Sequence, residues 1–203
     1  MIATVAFRTL GCRLNQAETD AIKSELASHN LHEITGQNPA DLTVINSCAV
    51  TRQAEAKTRG AITAARRISP NGKIAVVGCY SQIAVQELID MPGVFLVLGN
   101  SEKYDLFDFV ERVDRGEKII CVAGPGLSAS TFRAEAHSPA DERIRANLKI
   151  QEGCDYHCAY CIIPRLRGNP RSREPQECFT ETRRLVERGV QEVNLIAQET
   201  TRY

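Results

Sequence analysis

Along the first half of the chain, short apolar runs alternate with longer stretches in which apolar residues return every three or four positions. Val5 to Leu10 reads as a strand that ends at Gly11-Cys12. Ala17, Ala21, Ile22 and Leu26 then recur at helical spacing, and Asn15 followed by Glu18 reads as a capping box at the start of that helix. Leu42 to Ser47 is a second strand, ending at Cys48. Thr51 opens a helix with Ala54, Ala61, Ile62, Ala65 and Ile68 on one face, and Ser69-Pro70-Asn71-Gly72 stops it. Lys73 to Gly78, nearly all apolar as a strand buried on both faces would be, ends at Cys79. A helix through Val85 and Leu88, a turn at Pro92-Gly93, a strand over Val94 to Leu98 and an amphipathic segment from Tyr104 to Val113 follow. Strand and helix in alternation predict an α/β fold over residues 1–115, an open parallel sheet with helices on both faces.

The period is lost over residues 116–145, where Gly124-Pro125-Gly126, Ser128, Ser130 and Ser138-Pro139 mark a linker around a short strand at Ile119 to Val122. A second unit occupies residues 146–203. It opens with the alternating strand Ala146 to Ile150, passes through a cysteine loop, and continues into a helix from about Pro175 to Arg188 with Phe179, Leu185 and Val186 on its buried side. Gly189 caps that helix and Val193 to Ala197 is the next strand. Strand, helix and strand cannot close a barrel, so this unit reads as the beginning of a larger domain.

Composition narrows the class. The chain has 203 residues, 43% hydrophobic and 25% charged, and its apolar runs are far shorter than a membrane span. Met1 to Arg8 reads as a first strand and lacks the features of a signal peptide. Eight cysteines in such a cytoplasmic-looking chain favour metal or redox chemistry over disulfides. The formal net charge is zero, so contact with nucleic acid must come from a local patch; Arg165, Arg167, Arg171 and Arg173 offer one.

Cys154, Cys158 and Cys161 have the spacing CxxxCxxC. Three thiolates from one loop can hold three irons of a [4Fe–4S] cubane and leave the fourth open to a small molecule. A structural zinc site would need His157 or a distant cysteine as its fourth ligand. Cys12, Cys48 and Cys79 each end a predicted parallel strand, separated by about one βαβ unit. Ligands bind at that edge of an open sheet, and neighbouring strands would bring the three thiols together. Small buried thiols without a ligand role are also common at strand ends. Cys121 and Cys178 read as core or free thiols.

Gly153-Cys154 through Cys161, with Ile162-Ile163-Pro164, Arg167-Gly168 and Arg171-Ser172-Arg173, resembles the radical S-adenosylmethionine methylthiotransferases. Gly11-Cys12-Arg13-Leu14-Asn15-Gln16, Asn46-Ser47-Cys48-Ala49-Val50-Thr51 and Val77-Gly78-Cys79 resemble that family's N-terminal domain. The resemblance implies two [4Fe–4S] clusters. One, on Cys154, Cys158 and Cys161, would bind S-adenosylmethionine and generate a 5′-deoxyadenosyl radical, with Tyr160 packed near the adenine or the cluster or else serving as a core aromatic. The other, on Cys12, Cys48 and Cys79, would deliver a methylthio sulfur to the substrate carbon. It further implies a flavodoxin or ferredoxin as electron donor, and a second domain that begins a partial (β/α)₆ barrel of which this chain holds only the start.

The wording from Gly11 to Glu18 and from Asn46 to Thr51 looks most like the branch acting on N6-threonylcarbamoyladenosine beside the tRNA anticodon. Asn194 to Thr201 looks more like the branch that modifies an aspartate of a small-subunit ribosomal protein. Outside the family, a zinc-stabilised RNA-binding module without catalysis is the competing class, and an electron carrier would need a fourth cysteine at each cluster.

Overall fold

The computed structural model describes residues 1–122, 132 and 144–203. The first part runs β1 (Thr4–Thr9), α1 (Arg13–Ser28), β2 (His32–Glu33), β3 (Leu42–Ser47), α2 (Arg52–Ile68), β4 (Lys73–Gly78), α3 (Val85–Asp90), β5 (Val94–Leu98), α4 (Val110–Asp114) and β6 (Ile119–Cys121). The six strands form one sheet in the order β2-β1-β3-β4-β5-β6, and every neighbouring pair is parallel.

Two layers of core explain why the central strands are apolar throughout. Ile22 and Leu26 of α1, with Leu106, Val110 and Val113, cover Val44, Ala75, Val77 and Leu96 on one face. Ile62 and Ala65 of α2, with Leu88 and Ile89 of α3, cover Ile45, Ile74, Val76 and Val97 on the other. Successive residues of a strand point to opposite faces, so a strand covered twice has no polar side to show. Each buried Val, Leu or Ile among them contributes roughly 1.5–3 kcal/mol by leaving water. At the start of α2 the Thr51 side chain accepts from Ala54 N at 3.1 Å, as the sequence predicts.

One local reading is corrected. The residue before α1 is Cys12, and Asn15 and Glu18 lie inside the helix, buried, instead of closing a capping box. Asn15 Nδ2 donates to the carbonyls of Leu10 at 2.8 Å and Ser47 at 2.9 Å, so tertiary partners have displaced the local one. The amphipathic segment Tyr104 to Val113 is built from the end of a 3₁₀ stretch over Glu102–Phe109, irregular at Asp105, followed by α4.

The second part comprises β7 (Arg145–Lys149), β8 (Gln151–Glu152), α5 (Ile163–Arg167), β9 (Arg171–Ser172), α6 (Pro175–Glu187) and β10 (Glu192–Ile196). β7 and β10 pair in parallel with Leu148 opposite Leu195, and α6 sets Leu185 against Leu148, Ile150 and Val190. Phe179 and Val186, expected on the buried side of α6, are 69% and 59% exposed. The apolar stripe of that helix is wider than the two strands beneath it. Leu14 and Ala17 of α1 pack on Ile196, so α1 lies between the two sheets.

Inside the expected linker, Ile119–Cys121 pairs with β5, so the first sheet runs past residue 115. Residues 123–131 and 133–143 of that linker lie outside the described residues. Among the described residues, no helix is long and apolar enough to cross a membrane.

Candidate functional site

The strands that lead to Cys12, Cys48 and Cys79 are immediate neighbours. Thr9 pairs with Asn46 and Ser47 with Gly78, so β1, β3 and β4 finish level at one edge of the sheet. Cys48 and Cys79 are buried there and Cys12 is exposed. Gly11 holds φ at +96°, and a Cβ on it would stand 2.9 Å from Cys48 Sγ and 2.7 Å from Cys48 Cβ. Only glycine adopts that backbone freely, and only glycine leaves the second thiol room beside the first. Burial pushes the Cys48 thiol up from its ordinary value, and the sulfurs of Cys79 and Cys12 add to the rise.

The other three cysteines lie between β8 and α5. Gly153 (φ +77°) turns the chain where a Cβ would collide with the Asn169 carbonyl, and Cys154 N donates to Gly168 O at 3.0 Å. Gln151 Nε2 braces the entry through the Gly153 carbonyl at 2.8 Å, while its Oε1 accepts from the backbone of Gln198 and Glu199 at 3.1 Å each. Cys154 and Cys161 are half-buried and Cys158 is exposed. Tyr160 is 92% exposed, which removes the core-aromatic role and leaves its ring open to a ligand. Asp155 pairs with Arg202 at 2.6 Å and 2.8 Å, and that hydrogen-bonded guanidinium holds the carboxyl below its usual range.

Between the two thiol sets lies an ion network that the sequence reading did not find. Glu18 meets Lys103 at 2.6 Å, Lys149 at 3.0 Å and Arg167 at 2.6 Å; Glu152 meets Lys149 at 2.7 Å and Arg167 at 3.3 Å. Burial alone would raise the Glu18 carboxyl, but Arg167, then Lys103 and Lys149, hold it well below the ordinary value. Burial likewise works against the Lys149 ammonium, which Glu152 and Glu18 hold above its usual range. Lys149 lies on the polar side of the alternating strand Ala146 to Ile150. It is 1% exposed because the second face of β7 is covered by α1.

The network also overturns the arginine patch. Arg167 and Arg173 are buried, Arg171 is partly covered, and of the four only Arg165 is exposed. Arg167 NH2 donates to Asn15 Oδ1 at 2.8 Å, and Cys12 Sγ lies 3.7 Å from the same oxygen. Asn100 Nδ2 donates to the Leu166 carbonyl at 2.8 Å and lies 3.8 Å from Cys79 Sγ. Among the described residues, no three His, Cys, Asp or Glu side chains gather closely enough for a single metal ion. All eight cysteines are free thiols.

Two family matches divide the chain as its sheets do. Residues 4–99 match the Uncharacterized protein family UPF0004, and residues 148–203 match the Radical SAM superfamily. A solved radical S-adenosylmethionine methyltransferase, TsrM from Kitasatospora setae, shares the fold with a TM-score of 0.65 at 11% identity, over 98% of this chain and 48% of its own. The radical SAM match thus lies on the second part of the chain, behind an N-terminal α/β domain.

The threonylcarbamoyladenosine tRNA methylthiotransferase MtaB of Bacillus subtilis (strain 168) is 37% identical over 100% of this chain and 45% of its own length. MtaB of Aquifex aeolicus is 35% identical over 98% of this chain and 48% of its own. The ribosomal protein uS12 methylthiotransferase RimO of Parasynechococcus marenigrum is 34% identical over 98% of this chain and 43% of its own. Along its whole length the chain is similar to radical S-adenosylmethionine methylthiotransferases, and it spans about half the length of these relatives.

Proposed function

We propose that this chain is the cluster-bearing half of a cytoplasmic radical S-adenosylmethionine enzyme that adds a methylthio group to N6-threonylcarbamoyladenosine next to the tRNA anticodon. The observation that carries the reading is the meeting of Cys12, Cys48 and Cys79 at one sheet edge, against the segment that follows the CxxxCxxC loop. In this reading Cys12, Cys48 and Cys79 hold one [4Fe–4S] cluster and Cys154, Cys158 and Cys161 another. The donors suit that group: each site offers three soft, free thiols, with a positive-φ glycine, Gly11 or Gly153, just before its first cysteine. When bound, the clusters supply one-electron chemistry and sulfur for insertion into a C–H bond that no acid or base side chain can open.

The chain's own residues orient and shield. Gly11 and Gly153 aim the thiols, Asn15 fixes the carbonyls of Leu10 and Ser47 ahead of Cys12 and Cys48, Asn100 ties Leu166 beside Cys79, and Tyr160 offers an exposed ring to the adenine of S-adenosylmethionine. Residues 1–115 with β6 form the methylthiotransferase N-terminal domain, a linker crosses to about residue 145, and residues 146–203 begin the radical domain. A flavodoxin or ferredoxin supplies the electron.

The wording of Gly11 to Glu18 and of Asn46 to Thr51 supports the tRNA substrate, while MtaB and RimO relatives stand at similar identity. A ribosomal-protein aspartate is the second reading, favoured by Asn194 to Thr201. Anaerobic reconstitution with iron and sulfide should load about eight irons per chain, whereas stoichiometric zinc would overturn the cluster reading. Mass spectrometry of tRNA nucleosides and ribosomal proteins from cells lacking the gene should show loss of the methylthio group from the tRNA pool alone; loss from the ribosomal protein selects the second substrate.

A further inference from the structure

Lys103, Lys149 and Arg167 are each at most 2% exposed, and among the described residues they face two carboxylates, Glu18 and Glu152. Among these described groups, three cations against two anions leave one positive charge in excess. Unequal buried charge is unfavourable until something negative completes it. The Tyr104 hydroxyl, 3.2 Å from Lys149 Nζ, does not, because burial keeps it protonated.

The thiols are the groups placed to do so. Arg167 bonds Asn15 Oδ1 at 2.8 Å, with Cys12 Sγ 3.7 Å beyond that oxygen. Lys103 bonds Asn100 Oδ1 at 3.0 Å, and the nitrogen of the same amide is 3.8 Å from Cys79 Sγ. Each cation thus stands one side-chain amide away from a sulfur. Fixed positive charge at that range stabilises an added electron, and net charge and hydrogen bonds to sulfur are among the levers that set the potential of an iron–sulfur cluster.

We propose that Arg167 and Lys103 are positioning residues that raise the reduction potential of the cluster held by Cys12, Cys48 and Cys79. The inference rests on the reading that those thiols hold a cluster. Arg167 comes from α5, so the radical domain itself tunes the cluster of the domain before it, and separating the two units would lower the potential.

The test uses the protein expressed from its whole gene with Cys154, Cys158 and Cys161 replaced by Ala, reconstituted anaerobically and titrated potentiometrically with electron paramagnetic resonance detection. Arg167→Gln should lower the midpoint by about tenfold in the reduced-to-oxidised ratio at fixed potential, about 59 mV for one electron. Glu18→Gln, which removes a negative charge from the same network, should shift it the opposite way, and Arg167→Lys should hold it near the parent. Arg171→Gln, at the partly exposed rim, should move it in the Arg167→Gln direction and keeps the test open if the buried variants do not fold. Midpoints that stay put, or that move the same way in Arg167→Gln and Glu18→Gln, would overturn the proposal while the parent still holds about four irons. A parent that binds no iron would overturn the cluster reading itself, and the proposal with it.

Discussion

Asn100 donates from Nδ2 to the Leu166 carbonyl at 2.8 Å, across 66 residues of chain, while its Oδ1 accepts from Lys103 Nζ at 3.0 Å. One buried amide therefore fastens α5 to the edge of the first sheet and holds a buried ammonium in place. Asn100→Ala leaves the carbonyl and the ammonium each short of a partner, which costs about 1–3 kcal/mol for a buried polar group. Urea unfolding should show a lower midpoint at an unchanged slope. An unaltered midpoint would mean that the two units are held together without this bond.

Gly11 is the tightest point of the strand-end site. Gly11→Ala would place a methyl group 2.9 Å from Cys48 Sγ on a backbone at φ +96°. Strain of this kind costs on the order of 1–3 kcal/mol, and it falls directly on the thiol geometry. Iron retained after reconstitution should drop from about eight to about four per chain, with the Cys154 loop still loaded. Full loading of the variant would show that the three thiols do not depend on this turn.

How far the sequence foretold these features depends on where each residue finds its partners. The parallel sheet was legible because Leu42 to Ser47 and Lys73 to Gly78 carry their double burial in their composition. The strand-end thiols were legible because chain direction and strand ends are local properties. Glu18, Lys103, Lys149 and Arg167 were not, since nothing nearby in sequence says that a helix from one unit will cover a strand of the next. Asn15 and Glu18 have the spacing of a helix cap and serve instead as anchors for Arg167. Phe179 misled in the opposite sense, because a helical period says which residues share a face but not how much lies beneath it.

Cys158 is exposed, and its carbonyl accepts from Cys161 N at 3.0 Å, so its side chain can be removed with little effect on the core. In the protein expressed from its whole gene, Cys158→Ala should abolish cleavage of S-adenosylmethionine to 5′-deoxyadenosine, read by chromatography under reducing conditions. The site on Cys12, Cys48 and Cys79 should keep about four irons. Retained cleavage would show that the loop has been given the wrong role.

Acid should loosen the junction between the two units, and the sign follows from Glu18. In the unfolded chain its carboxyl titrates at about 4.3. In the fold, burial opposes ionisation, but Arg167, Lys103 and Lys149 outweigh it and hold the carboxyl well below that value. Between the two values the unfolded chain binds a proton that the folded chain does not, so stability falls as pH is lowered through this window. The contribution is fully present above the unfolded value and is lost as pH drops through the folded one. Glu152, also depressed against burial by Lys149 and Arg167, acts in the same sense. The melting temperature of the metal-free protein should therefore hold between about pH 7 and 5 and fall steeply below about 4. Glu18→Gln leaves buried cations short of a partner and should cost about 3–5 kcal/mol at pH 7. Its acid dependence should be shallower, so the two curves draw together as pH falls. Parallel curves would mean that Glu18 titrates alike in the folded and unfolded chain, and that the charges around it do not hold the units together.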